Sequence, residues 1–116
     1  MTETPPAVSL TVYVGVDTHK DTHHAAIVDS VGRQIGDREF PVTASGHRQL
    51  LAWLASTGIV ARVGVEGTGS YGCALTTVLR EAGLTVVDVD RPDRRARRHG
   101  KSDPIDAYAA ATAALS

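Results

Sequence analysis

The sequence contains few of the residues that stabilise small proteins by means other than an apolar core. Cys73 is its single cysteine, so no disulfide can form within the 116-residue chain. Scarce cysteine is typical of a reducing compartment, and we expect a cytoplasmic protein. Aromatic residues make up only 4% of the chain. The core must therefore consist mainly of Val, Leu, Ile and Ala side chains.

Hydrophobic segments of membrane length are also missing. No apolar run approaches the ~20 residues that a membrane-spanning helix needs, and residues 1–6 lack the basic and apolar regions of a signal peptide. We expect residues 1–10 to form a disordered tail and residues 11–116 to form one globular domain. The chain length and the 42% hydrophobic content are ordinary for such a domain.

The net charge of −1 conceals an uneven distribution. Residues 91–101 contain six basic residues and one acid, which gives this segment a charge of +5. The rest of the chain must therefore have a charge of −6. A solvated face could have this composition, but so dense a group of arginines is better explained by contact with a polyanion. The predicted nucleic-acid contacts are Arg94, Arg95, Arg97, Arg98 and Lys101, with Lys20 as a further backbone contact.

Apolar alternation and turn residues divide the chain into strands and helices. Three strand patterns separated by short turns come first, which predicts an antiparallel meander. Helices and strands then alternate, and a short helix or irregular stretch is expected between 91 and 103. The predicted strands are 12–17, 25–28, 33–40, 59–66 and 84–89, and the main helices are 47–56, 71–82 (with Ser70 as its N-cap) and 104–115.

The element order βββαβαβαα predicts an α/β fold with a mixed five-stranded sheet flanked by helices. Right-handed crossovers place the first, fourth and fifth strands parallel, with the first strand in the centre. This is the order of the ribonuclease-H-like fold.

The first strand ends on a carboxylate. Val14 and Val16 alternate with Gly15, where a neighbouring segment could approach the backbone closely. Asp17 follows at the carboxyl end, which is where open α/β sheets bind ligands, although Asp also commonly starts turns. Glu66 ends the fourth strand in the same way. If these two strands are parallel neighbours, about 4.8 Å apart, both carboxylates emerge at one edge and repel unless a cation neutralises them.

A second pair of acids begins the last helix. Asp103 and Asp106 are three residues apart, which places them on one helix face. They could act only as caps, with Asp103 at the N-cap and Pro104 in the first helical position. Together with Asp17 and Glu66, however, they predict shared ligands for divalent Mg²⁺ or Mn²⁺.

Other candidate sites give weaker signals. Residues 67–72, Gly-Thr-Gly-Ser-Tyr-Gly, could hold a phosphate before a helix, but they lack the lysine and the spacing of a P-loop and could equally form a tight turn. His19, His23 and His24 could suggest zinc. Neighbouring histidines in a turn are more often solvated, and no cysteine cluster supports a zinc site.

Three motifs together resemble the DEDD transposases, the bacterial insertion-sequence recombinases of the Piv/MooV class. The motifs are VGVDTHK at 14–20, VEGTGSY at 65–71 and KSDPIDA at 101–107. The catalytic domain of that family is similar to the Holliday-junction resolvase RuvC. The resemblance extends from Thr11 to the end of the chain, and its acids follow the order that the family name describes.

This resemblance implies metal-dependent cleavage and transfer of DNA strands. It also implies that Asp17, Glu66, Asp103 and Asp106 hold the metal, and that a structured guide RNA is a partner. The family has a C-terminal domain with a catalytic serine, to which nothing in this sequence corresponds. The small side chains of the Ala-rich last helix are expected to pack against that missing domain or against a second copy of the chain in a homo-oligomer.

Two other functions are also compatible with the sequence. One is an ATP-dependent phosphotransferase of the actin-like superfamily, in which Asp17 would meet metal-bound phosphate and residues 67–72 would hold another phosphate. The other is a non-catalytic nucleic-acid-binding module, in which the acids only cap helices and the arginines bind.

Overall fold

The computed structural model describes residues 10–89 and 103–116, with Asp103 described through its backbone alone. The expected tail at 1–9 and the expected short helix or irregular stretch within 90–102 lie outside the described residues. Leu10 precedes the first strand, and its carbonyl accepts a hydrogen bond of 2.8 Å from the Ile59 N–H.

The described elements follow the predicted order. The strands are β1 (Thr11–Thr18), β2 (Thr22–Asp29), β3 (Gln34–Pro41), β4 (Ile59–Val65) and β5 (Val86–Asp88). The helices are α1 (Ala44–Thr57), α2 (Cys73–Glu81) and α3 (Asp103–Leu115). Helix α1 begins three residues earlier than its apolar pattern indicates, because the Thr43 side chain caps it by accepting a hydrogen bond from the Gly46 N–H at 2.9 Å.

Strand β1 lies at the centre of a five-stranded sheet with the order β3-β2-β1-β4-β5. Strand β2 runs antiparallel to both β1 and β3, whereas β1, β4 and β5 are parallel. These are the strand order and directions of the ribonuclease-H-like fold. The predicted fold class and the central position of the first strand are therefore confirmed.

One sheet face carries the large apolar side chains and is covered by α1 and α2; we call it the core face. Alternate residues of β1, β2, β3 and β4 meet leucines from both helices there, and each buried Leu or Val stabilises the fold by roughly 1.5–3 kcal/mol. Phe40 also contacts Trp53, with ring centroids 5.6 Å apart. The buried core residues are Val12, Val14, Val16, Ala25, Ile27, Phe40, Leu50, Leu54, Val63, Val65, Leu75, Leu79 and Val86.

The opposite sheet face is covered by α3, and we call it the helix α3 face. A Cβ atom added to Gly15 would lie 2.0 Å from the Ala111 backbone nitrogen and 2.3 Å from the Ala107 oxygen. A Cβ on Gly64, the neighbour of Gly15 on β4, would lie 2.9 Å from the Ala110 oxygen. The absence of side chains at both glycines thus lets the helix backbone rest directly on the sheet, as the close approach predicted at Gly15 requires.

The small side chains of α3 have a different role from the expected one. Ala107, Ala110, Ala111 and Ala114 are at most 2% exposed. Their positions over β1 and β4 mean that this alanine stripe packs against the sheet of its own domain. For these four alanines the expectation of a missing domain or a second copy as the partner is wrong, because the sheet of the same domain covers them. For the exposed Ala109 and Ala113 it stays a prediction.

One local expectation is also wrong. Ser70 does not cap α2: the helix begins at Cys73 with Gly72 in the N-cap position, and the Ser70 hydroxyl donates to the Gly67 carbonyl at 3.3 Å. On β3, Phe40 is buried, whereas Ile35, at the register shift between β2 and β3, is 43% exposed.

Within residues 10–89 and 103–116, no helix has the length and apolarity needed to cross a membrane.

Candidate active site

The ends of β1 and β4 place Asp17 and Glu66 side by side. Val16 is paired with Val65 in the parallel register, and the Glu66 N–H donates to the Val16 carbonyl at 3.2 Å. The Thr18 hydroxyl donates to the Glu66 carbonyl at 2.7 Å, so the two strand ends remain tied together beyond the ladder. Because Gly15 and Gly64 share the helix α3 face, Asp17 and Glu66, each two residues further on, share it as well.

Helix α3 brings a third acid to this edge of the sheet. Ala107 lies against Gly15 near the carboxyl end of β1, whereas Leu115 lies 3.7 Å from a Cβ position on Gly32 at the opposite edge. The helix therefore begins at the edge where Asp17 and Glu66 lie. Asp106 directly precedes Ala107, so its position is beside the ends of β1 and β4. We call Asp17, Glu66 and Asp106 the acidic edge.

The carboxylates of the acidic edge are buried. Asp17 is 0%, Glu66 3% and Asp106 4% exposed. Burial of an ionised carboxylate is costly unless hydrogen bonds or opposite charges compensate it. One such contact is the His19 ring, whose Nε2 lies 2.8 Å from Asp17 Oδ2. His19 therefore fixes the orientation of the Asp17 carboxylate from the exposed side of the turn after β1.

The donor set suits a hard cation, because Mg²⁺ and Mn²⁺ are bound through carboxylate oxygens. Two buried acids at adjacent strand ends and a third at the start of a helix are also a costly arrangement that a bound cation would stabilise. In the part of the chain described here, however, no group of three or more His, Cys, Asp or Glu side chains is arranged to hold a metal ion. Donor chemistry and burial thus fit a divalent cation, and a preformed cluster of three ligands is not present among these residues.

The other predicted site residues are only partly described. Asp103 is the first residue of α3, and its side chain lies outside the described residues. Lys20 is exposed in the turn between β1 and β2, close to the end of β1. The predicted nucleic-acid contacts Arg94, Arg95, Arg97, Arg98 and Lys101 lie outside the described residues.

The segment 67–72 is a closed turn rather than a phosphate cradle. The Ser70 and Gly72 N–H groups both donate to the Gly67 carbonyl, at 3.0 and 2.9 Å, and the Cys73 N–H donates to Ser70 at 3.1 Å. The Asp88 carboxylate accepts from the Thr68 hydroxyl at 3.0 Å, which places a negative charge at the turn. These donors are engaged within the protein, so the tight-turn interpretation is correct.

The histidines do not form a zinc site in the described part of the chain. His23 and His47 instead stack on the core face, with ring centroids 6.2 Å apart and planes 8° apart. Burial, and secondarily the charge of His47, lower the pKa of His23 from 6.5 to about 4. Burial also lowers the pKa of His47. Both rings are therefore neutral at pH 7.

Sequence reasoning missed a polar cluster on the helix α3 face. The His24 ring donates from Nε2 to Asp37 Oδ2 at 2.5 Å, and the Tyr108 hydroxyl donates to Asp37 Oδ1 at 3.2 Å. We call these three residues the α3 brace. The alternation of β2 and β3 could have placed His24 and Asp37 on one face, but no sequence signal indicated the strand register or the approach of α3.

A family model described as a transposase, of the IS110 type of DEDD transposases, matches residues 14–116. The chain belongs to the IS110 family of DEDD transposases. All four predicted acids of this IS110-family chain fall inside the matched region, and the resemblance read from the three motifs is confirmed.

A curated relative supports the same family. A protein named "Putative transposase y4uE", from Sinorhizobium fredii (strain NBRC 101917 / NGR234), is 40% identical to the IS110-family chain over 45 residues, which is 39% of this chain and 12% of the relative. The chain therefore matches a small part of the length of this relative.

One solved structure is similar at the level of the fold, and a second is a weaker match. A ROK family transcriptional regulator, described as a homologue of the E. coli MLC protein, has a TM-score of 0.52 at 13% identity, over 70% of the IS110-family chain and 28% of the regulator. An LC11-RNase H1 in complex with an RNA/DNA hybrid matches 92% of this chain and 99% of its own, at 13% identity and a TM-score of 0.38.

Proposed function

We propose that this chain is the catalytic domain of a DNA transposase, in which Asp17, Glu66, Asp103 and Asp106 hold Mg²⁺ or Mn²⁺ for cleavage and transfer of DNA strands. The observation that supports this most directly is the acidic edge. Three carboxylates that are each less than 5% exposed lie at the edge where two parallel strands end and α3 begins. Membership of the IS110 family of transposases supports the reaction class.

The residues of the acidic edge have separable roles in this proposal. Asp17 and Glu66 provide ligands from rigid strand ends that Thr18 ties together, and Asp106 approaches from the helix α3 face. His19 holds one oxygen of Asp17 in place. A divalent ion bound there would supply the Lewis acid that activates a water or hydroxyl and stabilises the leaving oxygen.

The partners proposed for the site are nucleic acids. DNA is the substrate, and a structured guide RNA is a partner of the longer protein. That protein would also contain a serine-bearing domain and assemble from several copies. Support for nucleic acids as partners comes from the six basic residues between 91 and 101. In the sequence they lie shortly before Asp103, the first acid of α3. Their positive charge would offset the repulsion between DNA phosphates and the carboxylates.

Metal binding by the 116-residue chain tests the proposal. Asp17→Asn and Glu66→Gln each replace a ligand by an amide of the same shape, and both should abolish Mn²⁺ binding measured by isothermal titration calorimetry. Asp21→Asn and Glu81→Gln are matched controls, because both side chains are exposed; these variants should bind Mn²⁺ like the wild type.

Three outcomes would contradict the proposal. Unchanged Mn²⁺ affinity in both Asp17→Asn and Glu66→Gln would exclude the acidic edge as the metal site. Binding of ATP without any binding of DNA would favour a phosphotransferase. Salt-dependent DNA binding that survives loss of all four acids, with no metal bound, would favour a non-catalytic binding module.

A further inference from the structure

The α3 brace connects three separate elements on the helix α3 face. His24 belongs to β2, Asp37 to β3 and Tyr108 to α3. Asp37 is paired with Ala26 in the antiparallel register, and His24 is two residues from Ala26, so His24 and Asp37 are diagonal neighbours on one face. Asp37 accepts a hydrogen bond on each of its two oxygens. A single carboxylate thus connects α3 to two strands.

The brace lies next to the acidic edge at both of its ends. His24 is directly opposite Asp17 in the β1–β2 register. Tyr108 is two residues beyond Asp106 on the first turns of α3. A displacement of Tyr108 therefore displaces Asp106. The Asp37–His24 pair, which binds Tyr108, belongs to the sheet beside Asp17 and does not move with α3.

The link adds a directional contact to the apolar packing of α3. The alanines of α3 lie over Gly15 and Gly64, and the same sheet face also carries Ala26 and the buried Val28 on β2. Apolar contact is non-directional and holds the helix close to the sheet. The Tyr108 hydroxyl bond has a defined length and direction, so it constrains the position of the helix in a way that apolar contact does not.

We propose that Tyr108 and Asp37 are positioning residues for the metal site: their hydrogen bond, oriented by His24, sets the position of α3 and therefore the position of Asp106 relative to Asp17 and Glu66. This inference rests on the proposed function. Outer residues that orient metal ligands typically change metal affinity by about 10- to 100-fold when they are replaced. We expect the lower end of this range, because the Asp37 side chain is 31% exposed.

The test compares Mn²⁺ affinity with stability in the 116-residue chain. Tyr108→Phe removes one hydroxyl and keeps the ring, and it should raise the Mn²⁺ dissociation constant about tenfold. Asp37→Asn should have a similar effect, and the double variant should be no worse than the more affected single variant, because both changes break the same link. Tyr13→Phe is the control, since Tyr13 is a partly buried tyrosine on the same sheet face; its affinity should equal that of the wild type.

Two further readouts separate positioning from a general loss of stability. A merely structural role would lower the urea midpoint and leave the dissociation constant of the folded protein unchanged. In metal-free protein, Tyr108→Phe should also accelerate hydrogen–deuterium exchange of the first turns of α3 while β1 stays protected. Unchanged exchange in α3 would overturn the inference.

The failures of the two proposals can be told apart. If wild-type protein binds Mn²⁺ through Asp17 and Glu66 but Tyr108→Phe binds within twofold of it, the positioning role alone is refuted. Additive losses in the double variant also refute it. If wild-type protein shows no Mn²⁺ binding that depends on Asp17, the proposed function fails and the positioning role fails with it.

Discussion

The two faces of the sheet are packed with side chains of very different size. The core face contacts α1 and α2 through Val, Leu, Ile and Phe, whereas the helix α3 face is packed mainly through Gly and Ala, with Val28 as a larger buried side chain. Large side chains bury more apolar area, so most of the hydrophobic stabilisation comes from the core face. The helix α3 face contributes less to stability and instead lets a helix backbone approach closely enough to carry an acid to the strand ends. The core face therefore provides most of the stability, and the opposite face of the same strands brings the acids to one edge of the sheet.

The largest effect should follow damage to the core face. Leu50→Ala removes a side chain that is 0% exposed, and it should lower the free energy of unfolding by about 3–4 kcal/mol because a cavity remains. Urea denaturation followed by circular dichroism measures this loss. The Mn²⁺ affinity of the folded protein should stay unchanged, because α3 does not rest on Leu50.

Val31→Ala is the matched control for Leu50→Ala. Val31 is 71% exposed, and its replacement should change the free energy of unfolding by less than about 0.5 kcal/mol. Equal losses in the two variants would mean that Leu50 is not part of the core.

Damage to the helix α3 face should separate stability from site assembly. In Gly15→Ala the new Cβ would lie 2.0 Å from the Ala111 backbone nitrogen, so α3 must move away from the sheet. We expect a loss of about 2–3 kcal/mol in the free energy of unfolding. The Mn²⁺ dissociation constant should also rise, because Asp106 moves with the helix; calorimetry on the folded protein measures this second effect.

Gly36→Ala is the control on the same sheet, because a Cβ at Gly36 meets no atom within 4 Å. This variant should keep both stability and Mn²⁺ affinity. The division between the two faces would be refuted if Gly15→Ala lowered stability but left the affinity intact, or if Gly36→Ala lowered both.

The smallest effect concerns pH and the core face. Burial lowers the pKa of His23 from 6.5 to about 4, with His47 from α1 and His19 from the turn after β1 as the titratable groups that face it. The unfolded chain therefore binds a proton between pH 6.5 and 4 that the folded protein does not. This stability is fully present above pH 6.5 and is lost as the pH falls toward 4, by on the order of 2 kcal/mol.

His23→Phe should flatten this part of the pH profile. The replacement keeps an aromatic ring beside His47 but cannot take up a proton. Urea midpoints of both proteins at pH 7 and pH 4.5 give the difference, and carboxylates that titrate in the same range cancel in the comparison. An equally steep profile in His23→Phe would show that His23 does not account for the acid sensitivity.

Much of the fold could be predicted from local sequence patterns. The valine alternation before Asp17 and before Glu66 predicted β1 and β4, because a strand period is short and regular. The right-handed crossover rule then predicted that the two strands run parallel. The bounds of helix α2 were predicted less well. The Gly67 backbone adopts φ 68° and closes a hydrogen-bonded turn, which delays the helix to Cys73 and leaves Ser70 outside it.

The rest depended on contacts between distant parts of the chain. The alanines of α3 indicated a packing face, but composition alone could not show that Gly15 and Gly64 would receive it. The bond from Tyr108 to Asp37 joins residues 71 positions apart, and no local pattern predicts such a pair. Predictions for the arginines at 94–98 concern positions outside the described residues, so they stay predictions.

Because the chain is synthesised from its N-terminus, the helix α3 face is covered last. All five strands precede α3 in the sequence, so the sheet and its core face can form before α3 leaves the ribosome. Asp17 and Glu66 then exist without Asp106, and this last proposed ligand arrives only when a helix from the far end of the domain docks on the first strand. In the proposed transposase, a nascent or partly folded chain would therefore hold no complete metal site and could not cut the DNA around it.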